Sequence, residues 1–354
     1  MSKRLTTSAA IMAALLMFTA CGEAAVSNTS SSSISEVTTE ASSETSASAS
    51  EHKAYDHTFN PHCLTKIYIN KYGEQFEKEY YQFCDDILAG SDTVKCSNPS
   101  WINLFRDISR TYLPIVHQYC YYNGDDYPSA GDGVYKIEYS IPKDEYLKKV
   151  DEFKSRVEYL IESCLYEDDT ELEKALALYH SESSRIKYDY YVMENTVIVT
   201  DDGYQISPYR SIMTDQGICQ EIAGCYAYLL MQVGIDAITC GALNKECTLA
   251  HEWTIVSLGG NYYHCDVTFQ LETPNTLQYF GLNDAERELE GDWDMPYNNI
   301  GDLNEIWGSD LPITDTRFAE VWKCYYYELD RDKDMLYCFS KGDGDIPYFE
   351  MTLK

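Results

Sequence analysis

Basic residues are scarce in this sequence, and their scarcity bears on its partners. The 354 residues contain 27 lysines and arginines against 58 aspartates and glutamates, a formal net charge of −31. Such a charge repels phosphate backbones and anionic lipid surfaces, so we expect no nucleic-acid partner. A cationic substrate would be attracted, although the solubility of an exported acidic protein explains the charge more simply.

The N-terminus lacks an apolar segment long enough to cross a membrane. Its apolar run at residues 9–18 follows Lys3 and Arg4 and is too short for an ordinary span. The run leads into Thr19-Ala20-Cys21, and small residues before a cysteine resemble a bacterial lipoprotein signal. We therefore predict a signal peptide at residues 1–20, lipidation of Cys21 and anchoring on the extracellular face of the cytoplasmic membrane. If the segment is an ordinary secretory signal, the protein is secreted instead.

Large apolar residues are nearly absent from residues 23–50, which consist mainly of Ser, Thr, Ala and Glu. Such a segment cannot bury enough surface to offset the entropy of ordering it, so we predict a disordered tether at 21–51. The residues after the tether suffice for a large core. We divide them into an α+β region at 52–165, in which we recognise no chemistry, and a region at 166–354 that carries the motifs described below.

Paired metal-binding cysteines are lacking too. The thirteen cysteines include no Cys-x-x-Cys pair, and without Cys21 and Cys219 an odd remainder of eleven has no regular spacing. We therefore expect mostly free thiols rather than a disulfide framework. A zinc site is conceivable but lacks the usual ligand spacing; its four candidate ligands are Cys240, Cys247, His251 and Cys265. We predict no metal and no cofactor.

An acidic run at 330–334 resembles a calcium-binding loop only in part. Its sixth position is not the required glycine, and Lys341 occupies the twelfth position, where glutamate belongs. A hairpin turn is the better interpretation.

Local patterns predict most of the remaining secondary structure. Helices are expected at 74–88, 101–112, 143–165, 171–180 and 207–214, the fourth opened by a capping box from Thr170. Alternation predicts a strand at 131–140. Strands at 321–329, 335–339 and 346–351 are expected to extend the main sheet, whereas 286–290 and 293–307 are expected to be rich in loops.

The stretch from Gly217 to Thr268 organises the functional interpretation. After Cys219, apolar residues recur at helical spacing up to Gly234, a typical end signal; they are Ile222, Ala223, Tyr226, Ala227, Leu230 and Val233. Cys219 is thus expected in the first helical turn, where free amides and the helix dipole favour a thiolate. Gly217 would let the backbone turn sharply into this helix.

A β-hairpin is expected after this helix. Strands at 236–243, 251–258 and 261–269 are predicted, the last two joined at Gly259-Gly260. If that turn is tight, Leu258 faces Asn261, and counting outward makes Trp253 face Asp266 and His251 face Thr268. His251 and Asp266 then become diagonal neighbours, roughly 5–8 Å apart at Cβ, within reach of an imidazole–carboxylate hydrogen bond.

Three motifs in this order resemble the transglutaminase-like superfamily. They are Gly-Ile-Cys-x-x-x-Ala at 217–223, His-x-Trp at 251–253 and Tyr-His-x-Asp-x-Thr at 263–268. The segments at 186–189 and 279–284 are similar to segments that flank these motifs in bacterial members, and Tyr209 matches a tyrosine often found before the cysteine. The resemblance covers about residues 168–290. Thr254 and Phe269 depart from it, since many members have Asn and Trp there, and these departures concern substrate preference.

The resemblance implies an α+β, papain-like core, in which a cysteine-bearing helix packs on an antiparallel sheet. It implies Cys219 as nucleophile, His251 as general base and acid, and Asp266 as the group that orients the histidine. The Cys219 amide would be one oxyanion donor. Trp253 and Tyr209 are candidate substrate-binding residues, although Trp253 could equally belong to the core. His264, on the same predicted face as His251, is a competing base that we interpret as a supporting residue.

These observations predict a surface-anchored thiol acyltransferase or hydrolase that acts on protein or peptide amides. The expected substrate is a surface protein or cell-wall peptide, the expected assembly is a monomer, and the only membrane contact expected is the lipid anchor. The alternative is a non-catalytic surface module that binds a partner in the same cleft. A structural lipoprotein that interacts through residues 52–165 is a further, weaker alternative.

Overall fold

A computed structural model describes residues 52–120, 127–246, 250–289, 291, 293–298, 301–307, 312–342 and 346–354. The predicted signal peptide, Cys21 and the predicted tether lie outside the described residues. Within the described ranges, no helix has both the length and the apolar character needed to span a bilayer.

The first part of the described chain is mainly helical. Its helices are α1 Lys66–Tyr72, α2 Glu74–Leu88, α3 Trp101–Tyr112, α4 Ile115–Tyr119 and α5 Lys143–Glu162. A small antiparallel sheet joins them, with strands β1 Thr93–Lys95, β2 Ser129–Gly131 and β3 Val134–Lys136 in the order β1-β3-β2. The predicted bounds of α2 and α3 are confirmed. The strand predicted at 131–140 is only three residues long, because its chain pairs with β1 over Val134–Lys136 alone.

The second part supplies a helical layer before the main sheet. Its elements are α6 Glu171–Arg185, β4 Lys187–Tyr188, α7 Tyr190–Asn195, α8 Pro208–Thr214, β5 Gln216–Gly217 and α9 Cys219–Gln232. The predicted capping box opens α6: the Thr170 hydroxyl accepts from the Glu173 amide at 3.2 Å, and the Glu173 carboxylate accepts from the Thr170 amide at 2.7 Å. The helix runs one turn beyond the predicted end at residue 180.

The main sheet has five strands in the order β10-β9-β6-β7-β8. The remaining elements are β6 Ala237–Asn244, β7 Ala250–Leu258, β8 Asn261–Cys265, α10 Val267–Gln270, α11 Asp284–Leu289, β9 Trp293–Asn298, β10 Gly301–Asp302 and α12 Leu303–Trp307. All pairings within this sheet are antiparallel. The helix α9 packs against β6 and β7, and the Thr254 hydroxyl of β7 donates to the Ala223 carbonyl of α9 at 2.9 Å.

The predicted register of the β7–β8 hairpin is confirmed as far as the strands run. Leu258 faces Asn261 and Thr254 faces Cys265, with Gly259 and Gly260 at φ +60° and +86° in the turn. The strand predicted to reach residue 269 ends at Cys265. Asp266 instead caps α10, because its Oδ1 accepts from the Phe269 amide at 3.0 Å.

Three predictions about the C-terminal part are wrong. The segment at 286–290, expected to be rich in loops, lies largely in α11. The segment at 293–307, expected to be rich in loops, contributes β9 to the main sheet, with Gly241 facing Tyr297 and Asn244 facing Trp293. The late strands do not extend that sheet. They form their own three-stranded sheet from β11 Tyr326–Asp330, β12 Met335–Phe339 and β13 Phe349–Thr352. The residues at 330–334 form the β11–β12 turn, so the expected hairpin is confirmed.

Buried tyrosines connect the helices to the sheet in one continuous hydrophobic core. The hydroxyl of Tyr112 in α3 donates to the Ala237 carbonyl of β6 at 2.8 Å, and that of Tyr226 in α9 donates to the Ala175 carbonyl of α6 at 2.9 Å. Both rings are at most 1% exposed. A buried tyrosine thus fills space and also satisfies a backbone carbonyl, which gives part of the 32 tyrosines a role inside the core.

Candidate active site

Cys219 is the first residue of α9, and the turn before it is tightly packed. A Cβ on Gly217 would lie 2.1 Å from the Ser211 Oγ, so only glycine fits this position. Gly217 was expected to supply backbone freedom; close approach to α8 is the reason observed. The strand β4 pairs in parallel with β5, with Tyr188 facing Gly217, and fixes the segment from the other side.

A buried ion pair holds the start of α9. Glu221 Oε2 accepts from the Ile218 amide at 3.0 Å, which satisfies a free donor of the first turn. Arg210, 3% exposed, donates to both oxygens of Glu221 at 2.9 and 2.5 Å and to Asp189 Oδ2 at 2.8 Å. The helix α9, the helix α8 and the segment after β4 are therefore joined through one guanidinium.

The structure brings His251 and Asp266 together. His251 Nε2 lies 2.6 Å from Asp266 Oδ2, and the two side chains are 5% and 1% exposed. Because Nε2 is bound to the carboxylate, Nδ1 is the nitrogen left for Cys219, whose side chain lies close enough to raise the pKa of His251. The three predicted catalytic residues thus meet in the order nucleophile, imidazole, carboxylate, as in other nucleophilic triads.

The charge on Asp266 favours the imidazolium form of His251. Burial lowers the pKa of His251. The Asp266 carboxylate, through its charge and its hydrogen bond, outweighs this effect together with the Cys219 side chain, and the pKa rises to about 9. Conversely, burial raises the pKa of Asp266, and the opposing charges of His251 and Arg287 bring it below its usual value. The geometry therefore favours a protonated imidazole next to the thiol at neutral pH.

Aromatic rings enclose the imidazole. Phe269 stacks on His251 with a centroid distance of 4.3 Å and an interplanar angle of 7°. Trp293 of β9 approaches at 5.5 Å and Trp253 at 5.9 Å. Phe269 was identified as a departure that concerns substrate preference, but here it packs directly on the His251 ring. Thr254, the other departure, is fully buried and bonds α9.

Arg287 was not identified from the sequence, although it contacts the triad. Its Nη2 donates to Asp266 Oδ2 at 2.9 Å, and its guanidinium lies 4.1 Å from the Trp253 ring centroid. A usable signal exists, since Arg287 is the single lysine or arginine between Lys245 and Arg317. An isolated arginine in an acidic segment after the predicted catalytic aspartate indicates an ion pair between Arg287 and Asp266.

His264 has both ring nitrogens engaged and is poorly placed to act as the base. Its Nδ1 accepts from the Trp253 indole at 2.9 Å, so Nε2 carries the proton and donates to Asp284 Oδ1 at 3.0 Å. Burial lowers its pKa, which agrees with this neutral tautomer. Trp253 is 3% exposed. The interpretation of Trp253 as a core residue is therefore the better one, and its ring packs against that of His251.

Tyr209 requires a correction, because it does not line a cleft. It is 1% exposed, and its ring packs against Phe153 at 5.5 Å and Tyr119 at 5.6 Å. Two other tyrosines approach Cys219 instead. Burial raises the pKa of both Tyr188 and Tyr297. The Cys219 charge raises the pKa of Tyr188 further and its backbone amide lowers it, and the charges of Glu252 and Cys219 raise the pKa of Tyr297 further. A Cβ on Gly241 would lie 2.6 Å from the Tyr297 ring, so glycine makes room for it.

The zinc and calcium alternatives gain no structural support. Within the described ranges, no group of three or more His, Cys, Asp or Glu side chains is arranged to hold a metal ion; Cys247 lies outside them. Asp330 instead binds its own turn, since Oδ1 accepts from the Lys333 amide at 3.1 Å.

Comparisons with known proteins give only partial matches. No family model matches the chain, and no curated protein matches it. Among solved structures, a transglutaminase is similar over 36% of this chain and 34% of its own, at 15% identity and a TM-score of 0.28. A proposed cysteine protease from Cytophaga hutchinsonii is similar over 33% of this chain and 37% of its own, at 17% identity and a TM-score of 0.25. The chain thus spans about a third of the length of these two structures.

The fold class follows from the geometry described above. A helix begins at the cysteine and packs on an antiparallel sheet whose strand β7 carries the histidine and whose strand β8 ends immediately before the aspartate. This is the α+β, transglutaminase-like and papain-like core that the sequence motifs imply, preceded by the mixed region at 52–165.

Proposed function

We propose that this protein is a thiol acyltransferase or hydrolase that acts on amides of proteins or peptides. One observation carries the proposal: His251 lies between the Cys219 thiol and the Asp266 carboxylate, with Nε2 held at 2.6 Å. A buried structural cysteine would need neither a histidine held by a carboxylate nor a place at a helix start. The arrangement supports nucleophilic catalysis.

The reaction begins when Cys219 Sγ attacks the carbonyl carbon of an amide and the carbonyl oxygen becomes an oxyanion. The Cys219 amide would donate to this oxyanion, and the Tyr188 hydroxyl, which lies near that amide, is the candidate second donor. The His251 imidazolium gives its Nδ1 proton to the leaving nitrogen, the C–N bond breaks and a thioester remains. The amine leaves as the first product.

The second half returns the enzyme to its starting state. Neutral His251 takes a proton from the acceptor, which attacks the thioester carbon and expels the Cys219 thiolate. With an amine as acceptor, the product is a new amide; with water, it is a carboxylic acid. Both routes use the same residues, so access of water to the thioester decides between transferase and hydrolase.

The predicted lipoprotein signal suggests where the substrate is found. Lipidation at Cys21 and a tether at 21–51 would hold the enzyme at the extracellular face of the cytoplasmic membrane, near surface proteins and cell-wall peptides. The acidic surface, with a formal net charge of −31, would favour a cationic donor or acceptor. Lysine side chains combine a positive charge with an acceptor amine.

A labelling experiment tests the proposal. The purified, reduced protein is incubated with a glutamine-rich protein as acyl donor and a fluorescent primary amine as acceptor, and label incorporation and peptide release are measured together. Cys219-dependent incorporation supports the transferase, and Cys219-dependent release without incorporation supports the hydrolase. Activity that persists in Cys219→Ala would refute the mechanism. If neither product forms and Cys219 is alkylated no faster than other thiols, the non-catalytic binding module is favoured.

A further inference from the structure

Arg287 is a buried cation whose one hydrogen bond among the described residues goes to the Asp266 carboxylate. It lies in α11, is 3% exposed, and places Nη2 2.9 Å from Asp266 Oδ2. Within the same part of the chain, its Nε and Nη1 have no hydrogen-bond partner. The guanidinium is surrounded by aromatic rings, with centroids at 4.1 Å for Trp253, 5.3 Å for Trp293 and 5.4 Å for Phe269.

The aromatic rings around Arg287 leave Asp266 as the main partner of its positive charge. Ring faces attract a cation, but they do not neutralise it and they exclude the water that would screen it. Because no other carboxylate of the described residues forms an ion pair with this guanidinium, its Coulomb interaction is directed mainly at one oxygen, in a site where the effective dielectric constant is low. An arginine that served only to fill space could be replaced by an apolar side chain at lower cost.

The oxygen that Arg287 binds is the oxygen that His251 binds. Asp266 Oδ2 accepts from both, at 2.9 and 2.6 Å, while Oδ1 accepts from the Phe269 amide at 3.0 Å. Two cations therefore share one anionic oxygen and lie within about 5.5 Å of each other, the sum of the two contacts. Arg287 withdraws part of the negative charge that would otherwise hold the imidazolium proton, and it repels that proton directly.

We propose that Arg287 is a positioning residue of the catalytic site, which keeps Asp266 ionised and oriented and limits the proton affinity of His251. The role rests on the proposed function. Its chemical purpose is reversibility: His251 must release its proton to the leaving amine and regain one from the acceptor within the same cycle. An imidazole bound to an unshared carboxylate would hold the proton too tightly for the first transfer.

The pH dependence of Cys219 alkylation tests this role without knowledge of the substrate. A chloroacetamide reagent is applied briefly to the native, reduced full-length protein, and modification of Cys219 is followed by peptide mass spectrometry. Most other described cysteines are buried, Cys164 excepted, which favours selective reaction. The alkaline inflection of the profile reports the loss of the His251 proton next to the thiolate.

Two substitutions separate charge from packing. Arg287→Met keeps an unbranched apolar side chain among the rings but removes the cation, and it should move the alkaline inflection up by about one pH unit. Arg287→Lys keeps the cation and should restore the inflection to the wild-type value. The matched control is Arg331→Met, since Arg331 also pairs with a buried carboxylate, Asp169 at 2.7 Å, and stacks on Tyr166 at 4.8 Å.

The outcomes distinguish this inference from the proposed function. If Arg287→Met leaves the inflection in place or lowers it, while His251→Asn removes it, the role of Arg287 is refuted and the triad stands. If His251→Asn leaves the profile of Cys219 unchanged, the triad itself is refuted. If Arg331→Met shifts the profile as much as Arg287→Met does, the shift is a general effect of lost stability and the inference is overturned.

Discussion

Replacement of Asp266 by asparagine should separate the stabilising and catalytic roles of the ionic centre. The amide has nearly the shape of the carboxylate but no charge, and it leaves two buried cations, His251 and Arg287, at 5% and 3% exposure without their anion. Removing one partner of a buried ion pair typically costs about 3–5 kcal/mol. His251 can relieve part of this cost by losing its proton, whereas Arg287 cannot, so we expect about 3 kcal/mol.

The double variant Asp266→Asn/Arg287→Met measures how much of that loss belongs to the pair. Without the orphaned cation, the protein should regain at least about 1–2 kcal/mol of the unfolding free energy lost in Asp266→Asn. Catalysis should not recover with it. Turnover should remain about 10³–10⁴-fold below wild type, because His251 still lacks the group that selects its tautomer.

The assay is urea unfolding at pH 7, followed by tryptophan fluorescence, on wild type, both single variants and the double variant. Asp169→Asn, which removes the carboxylate that pairs with Arg331, is the control and should lose stability but keep turnover. The summed losses of unfolding free energy in the two single variants are compared with the loss in the double variant. If they agree within about 0.5 kcal/mol, Asp266 and Arg287 are not energetically coupled, and the charge-sharing argument is refuted.

Three further predictions follow from the same contacts. Because folding raises the pKa of His251 from 6.5 to about 9, its stabilising contribution is complete below pH 6.5 and is lost as the pH rises through 9. The free energy of unfolding measured by urea should therefore fall by up to about 3 kcal/mol over this window, and by less in His251→Gln. Tyr188→Phe should lower kcat by about 10²-fold with little change in the urea midpoint, and an unchanged kcat would remove Tyr188 from the oxyanion site. Gly217→Ala should cost about 1–3 kcal/mol, and Ser211→Ala in the same chain should relieve part of it, since the Ser211 Oγ is the atom that a Cβ would meet at 2.1 Å; additive losses would contradict that explanation.

The sequence predicted the features that depend on local chain periodicity. Glycine pairs and strand alternation predicted the hairpin register from Leu258–Asn261 to Thr254–Cys265, and the apolar spacing predicted the helix that begins at Cys219. The His251–Asp266 contact was predicted through a strand pair that does not form, since β8 ends at Cys265. The contact survives because Asp266, as the cap of α10, still directs Oδ2 toward the imidazole.

Features that depend on distant packing could not be predicted from local patterns. Tyr209 and Tyr188 are both tyrosines that precede Cys219 in the chain. Their sequence positions do not reveal that Tyr209 is buried against Phe153 whereas Tyr188 lies near the Cys219 amide. Trp293 belongs to a short strand whose pairing with β6 spans about fifty residues, and no local pattern signals it. Long-range pairing of this kind is decided by the core and by neighbouring strands.

The ion-paired charges around the candidate triad have a sum that would not change during the proposed acyl transfer. Arg210 and Arg287 contribute two positive charges, and Glu221, Asp189 and Asp266 contribute three negative ones. The pair of Cys219 and His251 adds zero, whether the proton lies on sulfur or on nitrogen, and it again adds zero in the acyl-enzyme, where the thioester and the imidazole are both neutral. Each step therefore moves one proton within a site of constant charge. Fixed dipoles and charges in such a site stabilise its charged states equally well throughout. Water therefore need not enter the site to balance a change in its net charge. The same reasoning explains why the shared oxygen of Asp266 matters, since Arg287 balances the carboxylate at the one moment when His251 has given its proton away.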